Sequence, residues 1–337
     1  MRGNALSSRK MMALMVAGAI VLTAGMRQQA AAEEKLRVAA VFGTPIEEPW
    51  VNQIHVALLK AEKELGFLYE WSERVKPADF ARVTREYAGK GCRLILGDAF
   101  GVERIARQVA REYPGTAFVF GSGFGPAEPN FAVFDNWIHE PAYLSGMIAG
   151  KMTKRNLVGV VAAMAIPEVN RLVNAFCAGA KEVNPEVAFK LTFIGAFFDP
   201  PKAREAALAQ IEAGVDVIYA ERFGVIEAAA EKGILAISNM SDQYSLAPAT
   251  VITGPMWDMG PTVKYVIAAV KAGVFTAQDF GDFSSMAKGG SHLAPYHQWA
   301  ARLPAGVREM VEKRSREIIA GTFRVIIDES IPESESR

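Results

Sequence analysis

The residues of this chain best suited to chemistry are aromatic side chains and hydrogen-bond acceptors that follow predicted β-strands. Trp50 and Asn52 come after the first predicted strand, and Asp98 and Phe100 come after a later one. In open parallel sheets, ligands bind at the carboxyl ends of the strands. Aromatic faces stack on planar rings, and carboxylates or amides accept hydrogen bonds from ring N–H groups. The pattern therefore predicts a binding site for a planar heterocycle such as a purine.

The second half of the chain repeats this arrangement. Three more candidates follow predicted strands there: Phe197, Glu221 and Asp242. The stretch from Val251 to Pro261 then joins an apolar run to a predicted helix, and Pro255 cannot supply the N–H that a central strand needs. We interpret this stretch as a return crossing between two lobes and expect Trp257 and Asp258 to face the ligand.

Sequence motifs of enzymes are missing. The chain lacks a G-x-x-x-x-G-K-[ST] loop, a G-x-S-x-G elbow and an H-E-x-x-H pair, and no two of its histidines have the i, i+4 spacing of helical metal ligands. The glycines from Gly121 to Gly125 resemble a dinucleotide fingerprint, but Pro126 and Pro129 stand where the phosphate-binding helix would begin. We expect no catalysis, no cofactor and no metal.

The composition limits the classes of protein. The chain has 337 residues, 50% of them hydrophobic, which is enough for two ordinary cores. Its 37 basic and 37 acidic residues give no net charge that would attract nucleic acid. Cys92 and Cys177 are most simply small buried residues, with a disulfide as the alternative.

The N-terminal segment predicts secretion. Arg9 and Lys10 precede an apolar run from Met11 to Met26, which is shorter than the ~20 residues of a membrane span, and Ala30 to Ala32 offer a small-residue cleavage pattern. We expect residues 1–32 to be a cleaved signal peptide. Neither cysteine lies at its end, so the mature protein is expected to be free in the periplasm.

From Leu36 onward, strand and helix periodicities alternate, which predicts α/β architecture with doubly wound parallel sheets. This alternation of strands and helices occurs in two successive series of similar size, which indicates two lobes. The chain is expected to cross between the lobes near Asn136, Pro255 and Asp282. Such a three-segment hinge lets lobes close around a ligand. The expected division is 33–136 with about 256–282, 137–255 with about 283–330, and a frayed tail at 331–337.

Five segments together resemble one known family. They are Pro49–Gln53, Glu140–Gly150, Gly195–Lys202, Ala213–Ile218 and Ser241–Gln243. In this order they resemble the basic membrane protein family of substrate-binding proteins, similar to purine nucleoside receptors. The resemblance implies a type I periplasmic binding protein fold, a monomer and a membrane permease of an ABC importer as partner.

The resemblance also implies ligand-binding positions. Asn52 and Phe197 match an asparagine and an aromatic of the family, and Trp50 lies beside the position of another aromatic. Met240 stands where relatives keep a ribose-binding aspartate, and Trp257 where they keep a lysine. Because both departures remove polar partners of a sugar, we expect a free nucleobase such as adenine, with a nucleoside next.

Three alternatives remain. The receptor could bind another planar heterocycle, a vitamin or an amide with the same fold. A periplasmic hydrolase could use carboxylates such as Asp98, Asp135, Glu221 or Asp242, although no nucleophile accompanies them. A regulator domain without a ligand is the third alternative, against which the signal segment argues.

Overall fold

A computed structural model describes residues 35–335 of the chain. The predicted signal peptide lies outside the described residues. The first half forms a parallel sheet in the order β2-β1-β3-β4-β5. Its elements are β1 (Arg37–Val41), α1 (Pro49–Leu65), β2 (Leu68–Ser72), α2 (Pro77–Gly89), β3 (Leu94–Asp98), α3 (Glu103–Glu112), β4 (Ala117–Gly121) and β5 (Phe131–Phe134). This sheet and its helices are called the N-terminal lobe.

The second half forms another parallel sheet, in the order β10-β9-β8-β6-β7. Its elements are α4 (His139–Met152), β6 (Leu157–Ala162), α5 (Pro167–Val183), β7 (Ala188–Phe193), α6 (Pro200–Glu212), β8 (Val217–Ala220), α7 (Val225–Lys232), β9 (Leu235–Ile237) and β10 (Val251–Thr253). This sheet and its helices are called the C-terminal lobe. The prediction of two doubly wound α/β lobes is confirmed.

Four further strands and α-helices follow β10 along the chain. They are β11 (Pro255–Trp257), α8 (Gly260–Ala272), β12 (Ser291–Leu293) and α9 (Val307–Ile319). Strand β10 ends before Pro255, and β11 instead pairs antiparallel with β12 in a separate two-stranded sheet. Helix α8 returns to the N-terminal lobe, where Lys264 lies 2.7 Å from Glu64 of α1. The exact lobe boundaries given above stay a prediction.

Burial explains why the central strands form. Every residue of β4 and β6 is buried, as expected for parallel strands covered by helices on both faces. Helices α4 and α5 pack closely because a Cβ on Gly146 would lie 1.9 Å from the carbonyl oxygen of Phe176. Within residues 35–335, no helix is both long and apolar enough to cross a membrane.

Two parts of the fold differ from the sequence-based expectation. Strand β2 and helix α2 were not predicted, because β2 is a half-exposed edge strand with the polar sequence Leu-Tyr-Glu-Trp-Ser. The expected frayed tail is bound to the C-terminal lobe in its described part: the N–H of Glu335 donates to the Phe189 carbonyl, 3.0 Å away, and the N–H of Leu191 donates to Ser334 Oγ at 2.9 Å. The exposed edge of β7 provides these partners. Cys92 and Cys177 are both free thiols.

Candidate functional site

A cavity of about 330 Å³ lies between the lobes, at the carboxyl ends of their strands. Most of its lining belongs to the N-terminal lobe, and three residues belong to the C-terminal lobe: Glu168, Phe197 and Arg222. The N-terminal lobe contributes Gly43, Thr44, Glu48, Trp50, Arg74, Val75, Lys76, Pro77, Phe80, Asp98, Phe100, Val102 and Ser122. Because both lobes form the wall, a rotation about the hinge changes the shape of the cavity.

Trp50 forms part of the aromatic wall. Its indole stacks on Phe134 with ring centroids 5.7 Å apart and contacts Trp257 at 5.3 Å. Gly121 makes room for it, since a Cβ there would lie 2.2 Å from the Trp50 ring. The Trp50 Nε1–H has no hydrogen-bond partner among the described residues. Trp50 is therefore fixed by packing, with one polar group unsatisfied.

Phe100 and Phe197 meet from opposite lobes. Their rings contact edge to face, with centroids 5.1 Å apart. Phe100 is 48% exposed, and its backbone N–H donates to Asp98 Oδ1 at 2.9 Å, which orients the turn that carries the ring. Edge-to-face pairs of this kind present both a ring face and a ring edge to a neighbouring molecule.

A buried charge network also joins the lobes. Arg222 Nη1 donates to Glu48 Oε1 in the N-terminal lobe at 3.2 Å and to the Phe197 carbonyl at 2.9 Å. Arg222 Nε donates to Glu221 Oε2 at 2.8 Å, and that carboxylate also accepts from the Ala163 N–H. Burial raises the pKa of Glu48, and the Arg222 guanidinium opposes this shift.

Two further carboxyl groups line the cavity. Burial raises the pKa of Asp98 to about 7, although hydrogen bonds from the Phe100 N–H and the Ser122 hydroxyl act to lower it. Burial, together with the charges of Asp135 and Asp98, raises the pKa of Glu168 well above its usual value. Groups whose pKa is perturbed in a cleft are candidates for ligand contact.

The structure brings together four of the sequence-predicted residues, Trp50, Asp98, Phe100 and Phe197, in the cavity wall. Glu221 lies behind this wall and holds Arg222 in place. The other five candidates lie outside the lining: Asn52, Met240, Asp242, Trp257 and Asp258.

Local contacts explain why two of these five residues lie outside the cavity lining. Trp257 is 1% exposed and donates from Nε1 to Ser284 Oγ at 2.9 Å, so it supports Trp50 from behind. The sulfur of Met240 accepts from Asn136 Nδ2 at 3.5 Å, inside the hinge.

The polar side chains of the other three residues form hydrogen bonds with nearby protein groups. Asn52 Nδ2 donates to the Ile46 carbonyl at 2.9 Å. Asp242 lies 2.7 Å from His297 Nε2, and Asp258 accepts from the Gly260 N–H at the start of α8. Each of these polar groups therefore has a local structural partner.

Three lining residues were not among the site residues predicted from the sequence: Glu48, Glu168 and Arg222. Glu48 is the N-cap of α1, where its Oε2 accepts from the Val51 N–H at 3.0 Å, and Glu168 lies in the first turn of α5. The first turns of helices that follow strands face the same crevice as the strand ends. Extending the search from strand ends to the next helix turn would have found both carboxylates.

Two lobes of parallel sheet with a cavity at the facing strand ends are the architecture of the type I periplasmic binding protein fold. The chain belongs to the Bmp family, because the model of this family, described as "ABC transporter substrate-binding protein PnrA-like", matches residues 36–277. The protein is therefore an ABC transporter substrate-binding protein, and its family consists of solute-binding proteins rather than enzymes. The family prediction from the sequence is confirmed.

Individual relatives support this assignment. A purine-binding protein of Brucella abortus is 30% identical over 86% of this chain and 83% of its own length. A Haloferax volcanii protein, named as a candidate glucose-binding protein of an ABC transporter, is 38% identical over 58% of this chain, and the match spans 51% of that relative. A solved ABC transporter solute-binding protein of Conexibacter woesei has a TM-score of 0.72 at 22% identity, covering 87% of this chain and 99% of its own. At this level of identity, the structural similarity shows only that the two proteins share a fold.

Proposed function

We propose that the protein is the periplasmic receptor of an ABC importer and binds a purine-like ligand between its lobes. The observation that carries the proposal is the meeting of Phe100 and Phe197 from opposite lobes, beside Trp50 and two carboxyl groups, in one cavity. A planar ring inserted there would contact aromatic surface from both lobes and favour closure. The closed receptor would then deliver its ligand to a membrane permease.

A free nucleobase such as adenine is our first candidate and a nucleoside the second. The reason differs from the one drawn from sequence, because Met240 and Trp257 lie outside the cavity wall. Support now comes from the aromatic rings in the lining, Trp50, Phe80, Phe100 and Phe197, which suit a flat base more than several sugar hydroxyls. The carboxyl groups of Asp98 and Glu168 can accept from the N–H groups of the base.

A sugar is a further candidate from a different class of ligand, because one relative carries a glucose-binding name. Sugar recognition uses many hydrogen bonds to hydroxyl groups, whereas purine recognition uses ring stacking. Another planar heterocycle or an amide would keep the stacking and change the polar contacts.

Mass spectrometry of small molecules released by denaturing freshly purified protein tests the proposal. We expect a purine, and calorimetry should then show that adenine binds and glucose does not. Tight binding of glucose without binding of adenine, adenosine or inosine would overturn the proposal. Recovery of the ligand unchanged after long incubation would separate a receptor from the alternative of a hydrolase.

A further inference from the structure

Asp98 and Glu168 face one cavity from opposite lobes. Asp98 ends β3, and its Oδ1 accepts from the Phe100 N–H at 2.9 Å. Glu168 lies in the first turn of α5, and its carboxyl group accepts no hydrogen bond from residues 35–335. Both carboxyl groups therefore keep acceptor capacity that is directed at whatever occupies the cavity.

The two cations whose charges act on Glu168 are already bound to other groups. Arg222 is paired with Glu48 and Glu221, and Arg171 is paired with Asp135 and Glu329. Arg74 and Lys76 also line the cavity, where the side chain of Arg74 is 69% exposed and Lys76 is exposed too.

Asp98 and Glu168 also repel each other when both are ionised. The charge of Asp98 contributes to the raised pKa of Glu168, and the charges of Glu48 and Asp135 act in the same direction on Asp98. When both groups are ionised, this repulsion between the lobes opposes closure of an empty cleft, and holding a proton relieves it. A ligand that donates a hydrogen bond to each carboxylate replaces this repulsion with two favourable contacts.

Building on the proposed function, we propose that Glu168 is a specificity-determining residue that acts together with Asp98. Each carboxylate accepts an N–H group from a different edge of the bound ring. The ligand class is then a planar heterocycle with donors on two edges, either neutral or cationic. Adenine meets this requirement through its exocyclic amino group and its imidazole N–H.

Calorimetry with three probes tests the inference: adenine, purine without the amino group, and 9-methyladenine without the imidazole N–H. In the wild-type protein we expect loss of either donor to weaken binding about tenfold or more. In Glu168→Met, which keeps the length of the side chain but has no oxygen acceptor, adenine should bind more weakly, and the penalty for one of the two missing donors should nearly disappear. Asp98→Asn should remove the penalty for the other donor.

Two controls separate contact from general damage. Glu47→Gln changes an exposed neighbouring carboxylate and should leave all three affinities unchanged. Thermal denaturation should show that Glu168→Met remains folded. If both donor penalties persist unchanged in Glu168→Met, the inference is overturned although purine binding stands. If none of the probes binds the wild-type protein, the proposed function fails, and this inference fails with it.

Discussion

Arg222 of the C-terminal lobe donates from Nη1 to Glu48 Oε1 of the N-terminal lobe across 3.2 Å, and both side chains are only 4% exposed. The pair exists only while the lobes are close together, because the two residues belong to different lobes. Arg222 also keeps Glu221 as a partner within its own lobe, so separating the lobes does not leave its charge unpaired. The pair is therefore suited to stabilising the closed form.

Glu48→Gln should shift the protein toward the open form. The amide keeps the shape of the side chain but removes the negative charge that faces Arg222, which weakens a charge-assisted hydrogen bond by about 1 to 3 kcal/mol. We expect adenine to bind about tenfold more weakly, and small-angle X-ray scattering to show a larger radius of gyration with ligand present. Glu47→Gln is the matched control. Equal scattering and affinity for both variants would contradict this role of Glu48.

Phe197→Ala should weaken ligand binding without unfolding the protein. The ring is only partly buried and contacts Phe100 across the cavity, and loss of one stacking ring costs about 1 to 3 kcal/mol of binding. The neighbouring Phe198→Ala is the control, because Phe198 is 43% exposed and lies outside the lining. Calorimetry with adenine measures both. A larger loss in the Phe198 variant would refute our assignment of the wall.

Trp257→Ala should act on folding as well as binding. This indole is 1% exposed, and its removal leaves a cavity beneath Trp50, which costs about 3 to 5 kcal/mol of unfolding free energy. Urea denaturation measures the loss, and Phe197→Ala, under the same conditions, should lose much less stability. If the Trp257 variant kept its stability and lost only affinity, the indole would be a ligand contact, as the sequence had suggested.

Asp98→Asn should stabilise the fold at high pH. The pKa of Asp98 is about 7 in the folded protein and about 3.9 when unfolded. The folded state therefore binds the proton more tightly, and stability falls as pH rises from about 4 to about 7. Asparagine removes this loss, so the variant should be more stable than wild type by up to about 4 kcal/mol at pH 8 and nearly equal at pH 4.

Denaturation curves at the two pH values test this, with the exposed Asp258→Asn as control. A stability difference that does not change with pH would contradict a raised pKa at Asp98. In the ligand-bound form, N–H donors would favour the ionised carboxylate, so adenine affinity should rise as pH increases through about 7.

Gly121→Ala should displace Trp50. The added Cβ would meet the indole at 2.2 Å and the Phe134 ring at 2.9 Å, and overpacking of this kind costs about 1 to 3 kcal/mol. We expect lower stability together with weaker adenine binding. Gly89→Ala is the control, since a Cβ there meets nothing within 4 Å. Equal effects of the two substitutions on adenine affinity would show that the position of Trp50 is unimportant.

The alternation of strand and helix patterns was sufficient to predict the two-lobed fold. Buried parallel strands such as β4 are continuous apolar runs, which stand out in a sequence. Strand β2 did not stand out, because an edge strand with one exposed face carries a mixed pattern. The prolines of the return crossing correctly indicated the end of β10, since Pro255 begins a strand of another sheet.

The site was predicted only in part. A position after a strand indicates that a residue lies near the crevice, but it does not show whether the side chain reaches the cavity. Trp50 and Trp257 are both aromatic residues near the crevice, and only packing decides that Trp50 lines the cavity while Trp257 lies behind it. The pairing of Glu48 with Arg222 joins residues far apart in the chain, so no local pattern could indicate it.

A crystal structure of the protein grown with adenine tests the central claim most directly. We predict electron density for the base in the cavity between the lobes, in contact with Phe197 and with N–H groups directed at Asp98 and Glu168. An empty cavity at saturating adenine, or adenine bound elsewhere on the protein, would contradict the account.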